Sequence, residues 1–305
     1  MKLARALSPA KLNLGLEILG KRNDGYHEIR TVMQAISLAD RVSVSSSTIT
    51  ALQSDDRSLE YDGNLALKAA ELWQDRLDSE HRSLSISLEK AIPVAAGLGG
   101  ASSNAATVLR LADALFRTQI AADALHTAAA SLGSDVPFFL GSTAALASGR
   151  GEELTPLPPL RAAHFVLVTP DVEIPRKTVT MYGQLRPEDF SDGSTMMVLA
   201  ERMQAARGPE SEHLRNAFER PLLHFLPELE RIPTLMRSFA GQRVALSGAG
   251  PTWYAVVDSL EEANRLAALL RERLPSARVE TAQALTDCPE IELIDDRNDD
   301  SVSRV

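Results

Sequence analysis

A glycine-rich segment at residues 93–104 carries the residue types in this sequence best suited to chemistry. It reads Pro-Val-Ala-Ala-Gly-Leu-Gly-Gly-Ala-Ser-Ser-Asn and lies between a predicted strand and a predicted helix. Glycine lets the backbone approach a ligand closely, and a helix start presents unpaired N–H groups and partial positive charge. A phosphate suits such a place. Ser102 and Ser103 add hydroxyls that could contact phosphate or Mg²⁺.

Three other kinds of loop fit this segment poorly. A Walker A loop ends in Gly-Lys-Ser/Thr, and the segment has no lysine. A dinucleotide fingerprint needs Gly or Ala where Ser102 stands. A nucleophile elbow needs Gly-x-Ser-x-Gly, which is absent around Ser102, Ser103 and Ser247. A tight strand-to-helix turn without a ligand stays open.

Lys11 and Asp135 are the charged residues most suited to catalysis. Lys11 falls on the polar face of an alternating segment, where a solvated lysine is the alternative interpretation. Asp135 precedes Val-Pro-Phe-Phe-Leu, and desolvation there could tune its pKa; a turn aspartate is the alternative. Tyr26 and His27 follow an Asn-Asp-Gly turn as an aromatic pair at the start of a strand. No His, Cys or Asp cluster has the spacing of a zinc site.

The hydrophobic pattern predicts a mixed α/β chain that must position these residues. Alternation predicts a strand over 11–18, and shorter strands are predicted at 41–44, 84–88, 164–168, 244–246 and 253–257. Helices are predicted after a cap at Asp62, over 102–115, over 123–132, and after Ser259, where Glu262 completes a capping box. Gly133 is predicted to end the helix over 123–132 in a left-handed conformation.

Length and proline content predict two domains and a tail. A chain of 305 residues is typical of about two domains, and three prolines within residues 155–160 mark a boundary. The predicted units are 1–158, with the phosphate loop, and 159–285. Residues 286–305 contribute −5 of the net charge of −9 and are predicted to form a mobile acidic tail.

Composition excludes several other classes of protein. Lys plus Arg total 32 against 41 for Asp plus Glu, which does not fit duplex nucleic-acid binding. The charged N-terminus lacks the apolar run of a signal peptide. Residues 91–109 are uncharged, but their proline and glycines would leave backbone groups unpaired in a membrane. A single cysteine fits a reducing compartment, so the expected location is cytoplasmic.

Several blocks in order resemble the GHMP kinases, the family of galactokinase, homoserine, mevalonate and phosphomevalonate kinases. They are residues 8–16 (Ser-Pro-Ala-Lys-Leu-Asn-Leu-Gly-Leu), 22–28 (Arg-Asn-Asp-Gly-Tyr-His-Glu), 34–40, the loop at 93–106, 132–139 (Leu-Gly-Ser-Asp-Val-Pro-Phe-Phe) and 247–251 (Ser-Gly-Ala-Gly-Pro). The resemblance implies a two-domain α/β fold, with an N-terminal domain like ribosomal protein S5 and a ferredoxin-like C-terminal domain. It places the active site in the cleft between them.

Within that family, the N-terminal blocks are similar to those of the branch that acts on a cytidylyl alcohol. The resemblance implies phosphorylation of the substrate's 2-hydroxyl by ATP, with Mg²⁺, on the non-mevalonate route to isoprenoid precursors. Lys11 and Asp135 match the catalytic pair: Asp135 would take or orient the hydroxyl proton, and Lys11 would keep that acid ionised. The implied partners are ATP and the small cytidylyl substrate, with no nucleic acid or membrane, in a monomer or weak homodimer.

The resemblance also assigns binding residues. Asn13, Tyr26, His27, Thr178 and Tyr182 match substrate contacts, although two residues are inserted before Thr178. The ATP contacts that it implies are Asn64, Lys90, Pro93, Val94, Ala95, Ala96, Gly97, Leu98, Gly99, Gly100, Ala101, Ser102 and Ser103. Alanines stand at 95 and 96, where the family often has glycine, so a slightly different loop path is expected.

Three alternative functions follow from the same residues. The first is a homoserine or mevalonate kinase, against which the Tyr26–His27 pair argues. The second is a non-catalytic nucleotide-binding relative, against which retention of Lys11 and Asp135 argues. The third, a dinucleotide-dependent oxidoreductase, fails on the sequence of the glycine-rich loop.

Overall fold

Two sheets organise the chain in the computed structural model, which describes residues 2–295 and the backbone of Ser303–Arg304. The strands are β1 (Lys2–Lys21), β2 (His27–Ser47), β3 (Ala51–Ser54), β4 (Ser83–Glu89), β5 (Ala144–Ser148), β6 (Glu153–Pro156), β7 (His164–Pro170), β8 (Val244–Leu246), β9 (Trp253–Val257), β10 (Ala277–Gln283), β11 (Glu292–Asp295) and β12 (Ser303–Arg304). The helices are α1 (Leu65–Leu72), α2 (Gly100–Phe116), α3 (Ala122–Leu132), α4 (Lys177–Gly183), α5 (Ser194–Gln204), α6 (Glu219–Phe225), α7 (Arg231–Ala240) and α8 (Leu260–Arg273).

The first sheet is built on the long antiparallel pair β1 and β2. Its order is β12-β11-β1-β2-β4-β3; in addition, β5 pairs with β2 on one side and with β6 on the other. Helices α1 and α2 pack on this sheet around a core that includes the fully buried Trp73 and Phe138. Irregularities in the β1–β2 register follow Pro9, Asn13 and Ile18, so β1 bends along its length. That bend occurs at the segment that carries Lys11.

The second sheet has the antiparallel order β10-β7-β9-β8. Counted along the chain, this is the 4-1-3-2 order of a ferredoxin-like unit, with α8 connecting its last two strands. Helices α7 and α8 cover it around the buried Trp253. The C-terminal fold expected from the resemblance is therefore confirmed.

Strand β1 is buried on both faces, unlike the half-buried strand that alternation predicts. Leu12 and Leu14 pack with Phe165 and Tyr254 of the second sheet. On the other face, Lys11 and Asn13 are only 4% and 2% exposed. The alternative interpretation of Lys11 as a solvated surface lysine is therefore wrong, because this face lies at the base of the cleft between the two sheets. A lysine buried in this way needs hydrogen-bonding partners.

The predicted strands and helices are all present, and several of their boundaries differ. Asn64, not Asp62, caps α1, because its side-chain oxygen accepts from Ala66 N at 2.9 Å. The left-handed conformation predicted for Gly133 is wrong, since its φ of 169° is extended. The Ser259 cap is confirmed by a 3.1 Å bond from Glu262 N, although the Glu262 carboxylate returns to Asp258 N.

The predicted linker and tail contain strand residues. Pro156 ends β6, an edge strand in which a missing N–H is tolerated. The predicted mobile tail starts with residues that pack: β11 pairs with β1, and Glu292 accepts from Arg5 at 2.7 Å. The rest of that tail, apart from the paired backbone of β12, lies outside the described residues. Across residues 2–295, none of the helices has the length and apolar character needed to cross a bilayer.

Candidate active site

A cleft of about 580 Å³ lies between the two sheets and is lined by most of the residues singled out from the sequence. Among those residues it is lined by Lys11, Asn13, Asn64, Lys90, Pro93, Val94, Ala95, Ala96, Gly97, Leu98, Gly99, Gly100, Ala101, Ser102, Asp135, Thr178 and Tyr182. Tyr26, His27 and Ser103 do not line it. The cleft therefore brings together residues from both halves of the chain.

The glycine-rich loop turns sharply before α2. Gly97 and Gly99 have φ of 85° and 73°, in the region that favours glycine, and Gly99 caps α2. Ala95 also has a positive φ, 54°, which costs an alanine about 1 kcal/mol. A side chain on Gly97 would meet Ser247 O at 2.4 Å. The loop is thus packed closely against the turn after β8 while the start of α2 faces the cleft.

The two adjacent serines of the loop differ in their surroundings. Ser103 is fully buried and accepts a hydrogen bond from Ser8 Oγ at 2.8 Å, so it lies behind the loop rather than in the cleft. Ser102 lines the cleft and has no side-chain hydrogen bond to any residue in the described part of the chain. One of the two predicted hydroxyls is therefore available to a ligand.

Lys11 and Asp135 face each other across the base of the cleft. Lys11 Nζ lies 3.3 Å from Asp135 Oδ2 and donates to Asn13 Oδ1 at 2.5 Å. Asn13 in turn donates to Thr31 Oγ1 at 2.8 Å. The Lys11 side chain is 5% exposed, whereas that of Asp135 is 35% exposed and open to the cleft. The arrangement holds a cation in place beside an accessible carboxylate.

Tyr26 and His27 do not line the cleft, but each contacts a residue that does, so the pair lies at its rim. The Arg150 guanidinium, which lines the cleft, is 4.7 Å from the Tyr26 ring centre. The His27 ring lies 4.9 Å from Tyr182, another lining residue. Burial, and then Lys21, lower the pKa of His27 below its usual value. Burial raises the pKa of Tyr182 to about 12, and Asp135 adds to that shift.

Asn64 and Lys90 line the cleft but are already hydrogen-bonded within the protein. The Asn64 amide caps α1 and donates to Leu59 O at 2.9 Å. The Lys90 ammonium pairs with the fully buried carboxylate of Asp40. Their first roles are therefore to shape the wall of the cleft.

Sequence reasoning missed several residues that the fold brings to this place. Lys177 donates to Ala95 O and Gly250 O, both at 2.7 Å. Ser247 Oγ donates to Gly97 O at 3.0 Å, and Phe218 packs against Tyr182. Two signals were available: Lys177 adjoins Thr178 in a matched segment, and Ser247 begins the matched block 247–251, although no role was assigned to it.

Asp40 fixes the entry to the glycine-rich loop, so removing its charge should destabilise the protein. The carboxylate accepts from Ala91 N and Ile92 N, each at 2.8 Å, besides pairing with Lys90. Asp40→Asn would leave a buried ammonium without its counter-charge. We expect the free energy of unfolding in urea to fall by about 3 kcal/mol or more.

The matched control for Asp40→Asn is Glu261→Gln, which makes the same chemical change. Glu261 pairs with Arg265 on α8, where the two side chains are 80% and 71% exposed. Solvent screens that pair, so a much smaller change in unfolding free energy is expected. Equal effects of the two substitutions would contradict the role given to Asp40.

Comparison with known proteins identifies the relatives of this chain. The family described as "GHMP kinases N terminal domain" matches residues 64–147. The 4-diphosphocytidyl-2-C-methyl-D-erythritol kinase of Dehalococcoides mccartyi is 37% identical over 262 residues, covering 85% of this chain and 91% of that protein.

Solved structures give the same result for the fold. A crystal structure of 4-(cytidine 5'-diphospho)-2C-methyl-D-erythritol kinase matches with a TM-score of 0.75 and 34% identity, over 92% of this chain and 98% of that one. Homoserine kinase from Cytophaga hutchinsonii matches with a TM-score of 0.73 over 95% and 97% of the two chains, at 15% identity, which supports the fold alone. The predicted GHMP kinase fold, mixed α/β with two sheets, is confirmed.

Proposed function

Because the chain belongs to the 4-diphosphocytidyl-2-C-methyl-D-erythritol kinases, a branch of the ATP-dependent GHMP small-molecule kinases, we propose that Lys11 and Asp135 catalyse its phosphoryl transfer. The observation that carries this proposal is the 3.3 Å contact between Lys11 Nζ and Asp135 Oδ2 at the base of the cleft. The substrate is the cytidylyl alcohol named for its relatives, and the acceptor is its 2-hydroxyl.

Asp135 is the group that receives or orients the hydroxyl proton. Its carboxylate is the acidic side chain among the described residues that line the cleft, and it is accessible there. Lys11 pairs with that carboxylate and stabilises the negative charge that develops on the attacking oxygen. Phosphoryl transfer is mainly a matter of alignment and charge stabilisation, so the fixed position of Lys11 matters as much as its charge.

ATP would place its phosphates against the glycine-rich loop and the start of α2. The N–H groups at that start are free to bind an anion, and Ser102 adds a hydroxyl. Mg²⁺, when bound with ATP, neutralises phosphate charge. The Ser102 hydroxyl, which lines the cleft beside the start of α2, would be a ligand for that ion together with phosphate oxygens.

The cytidine would bind at the aromatic rim. Tyr26 is 54% exposed and offers a ring face for stacking, and His27 can donate and accept hydrogen bonds at a cytosine edge. Tyr182 lies between His27 and the cleft, and Thr178 lines the same wall. These four residues connect the rim with Asp135, where the acceptor hydroxyl must lie.

The lowered pKa of His27 predicts a pH dependence of substrate affinity. Burial disfavours the charged imidazole, so the ring stays neutral to a lower pH than a histidine with the usual pKa of about 6.5. If the neutral ring binds cytosine, affinity is present above the lowered pKa and is lost as the pH falls through it. We expect the KM for the cytidylyl substrate to be level at neutral pH and above, and to rise on acidification.

His27→Phe and His126→Gln test that dependence together. The first should raise the KM for the cytidylyl substrate and remove its rise at low pH. The second changes an exposed histidine of α3 and should leave both unchanged. An unaltered pH profile in His27→Phe would show that another group titrates.

An assay of ADP release tests the function as a whole. The enzyme would receive ATP, Mg²⁺ and either 4-diphosphocytidyl-2-C-methyl-D-erythritol, homoserine or mevalonate. Turnover with the cytidylyl substrate alone is expected. Turnover with another alcohol instead would leave the kinase activity in place but contradict the cytidine-binding roles of Tyr26 and His27. ATP binding without turnover on any of the three would contradict catalysis by Lys11 and Asp135.

A further inference from the structure

Lys177 lies between the glycine-rich loop at residues 93–104 and the glycine-rich turn at residues 247–251, which follows β8. Its ammonium donates to Ala95 O in the loop and to Gly250 O in the turn, each at 2.7 Å. An ammonium has three donors, and in the described part of the chain no acceptor is bonded to the third. A phosphate oxygen is a stronger acceptor than a neutral carbonyl, so an anion in this place would bind the amine well.

The charges that line the cleft leave an excess of one positive charge near Lys177. The charged side chains in the lining are Lys11 on β1, Lys90 after β4, Asp135 after α3, Arg150 after β5 and Lys177 itself. Lys90 is paired with Asp40, and Arg150 with Glu152 at 3.2 Å. Lys11 and Lys177 are left with the single carboxylate of Asp135.

The surroundings of Lys177 disfavour its charge until an anion arrives. Partial burial and the nearby Lys11 lower the pKa of Lys177 to about 8, and Asp135 opposes that shift. Tyr182 of the same helix has its pKa raised to about 12, so it does not titrate in this range. A phosphate beside the amine would favour the charged form and raise the pKa again.

We propose that Lys177 binds the transferred phosphoryl group of ATP, as a second cation beside Lys11. The inference rests on the proposed function, because it places the γ-phosphate next to the Lys11–Asp135 pair. Lys177 comes from the C-terminal half of the chain, whereas the glycine-rich loop and Lys11 come from the N-terminal half. The ammonium would therefore connect the two halves through the nucleotide.

Calorimetric titration of ATP and of ADP, with Mg²⁺ and no acceptor, tests this contact. Lys177→Met should weaken ATP by about tenfold or more and ADP by less than about threefold, because only ATP carries the γ-phosphate. Lys177→Arg keeps the charge and should retain the preference for ATP. Arg176→Met is the matched control: that side chain is exposed and makes no hydrogen bond or ion pair with any described residue, so both affinities should stay unchanged.

The wild-type protein provides a test that needs no substitution. With a pKa of about 8 for Lys177 in the nucleotide-free enzyme, ATP affinity should fall above pH 8 by up to about tenfold per pH unit, and ADP affinity much less. Lys177→Arg should lack this fall. If Lys177→Met weakened the affinities for ATP and ADP equally, Lys177 would only hold the loop and the turn together, and the proposal would be wrong. An ATP affinity of the wild-type protein that does not change above pH 8 would also overturn it.

The binding measurements distinguish this proposal from the proposed function. They use no alcohol substrate, so phosphorylation of a different alcohol would leave the ATP-over-ADP preference intact. Conversely, the expected turnover together with an unchanged preference in Lys177→Met would retain the function and remove Lys177 from the phosphate site.

Discussion

Asp135→Asn is expected to lower kcat by at least about a hundredfold while the Kd for ATP stays within about threefold. The amide keeps the size of the side chain but neither accepts the hydroxyl proton nor carries the charge that faces Lys11 at 3.3 Å. The carboxylate is partly exposed and accepts no hydrogen bond from the backbone of any described residue, so the fold should survive the change. Steady-state turnover and ATP titration, each at saturating Mg²⁺, give the two numbers.

A double-mutant comparison with Lys11→Met checks that the two residues act together. Because both groups act on one proton and one developing charge, the double variant should lose little more activity than either single variant. Lys11 is buried and bonded to Asn13, so thermal unfolding of each variant serves as the control for folding. Near-normal turnover in both single variants would contradict the catalytic roles of Lys11 and Asp135. Losses that multiply in the double variant would show that the two residues act independently.

Gly97→Ala is expected to lower kcat/KM for ATP by about a hundredfold. A methyl group at this position would lie 2.4 Å from Ser247 O and 2.8 Å from Gly250 O, and both atoms belong to backbone that cannot rotate away. The φ of 85° adds strain for any residue other than glycine. The loop must therefore move, and displacement of a positioned phosphate by about 1 Å can cost two orders of magnitude in rate.

Gly20→Ala is the matched control for Gly97→Ala. Apart from its chain neighbours, no atom of the described residues lies within 4 Å of a Cβ built on Gly20, a residue of β1 that pairs with Glu28 and whose φ is outside the positive range that favours glycine. Its kcat/KM for ATP and its melting temperature should match those of the unsubstituted enzyme. Normal ATP kinetics in Gly97→Ala would contradict the close contact between the loop and the turn after β8.

Local signals predicted most of the elements and much of the lining of the cleft. The residue types of the glycine-rich loop predict its phosphate site directly, whereas Lys11 and Asp135 are assigned by the resemblance, because their neighbours alone leave a solvated lysine and a turn aspartate open. Asn64 shows what such signals leave out: the resemblance predicts an ATP contact there, which stays a prediction, and does not predict the helix cap that its side chain makes. Which of two adjacent serines faces the cleft depends on Ser8, far along the chain.

The residues that were missed depend on contacts between distant parts of the chain. Lys177 is placed by carbonyls of Ala95 and Gly250, which are 82 and 73 positions away. Ser247 meets Gly97 across 150 positions. No periodicity or spacing reports such contacts, since they exist only after the two sheets pack together. The same packing explains why the polar face of β1 is buried.

The course of β1 has a consequence for how the protein can be divided. Ala4 and Ala6 belong to the core beneath α2, Leu12 and Leu14 to the layer between the sheets, and Leu16 belongs to the core of the C-terminal half. A fragment ending at residue 158 would expose Leu14 and Leu16, and the complementary fragment would lack the strand on which it packs. The two halves should therefore melt in one cooperative transition, and separately expressed halves should gain activity only when they are folded together.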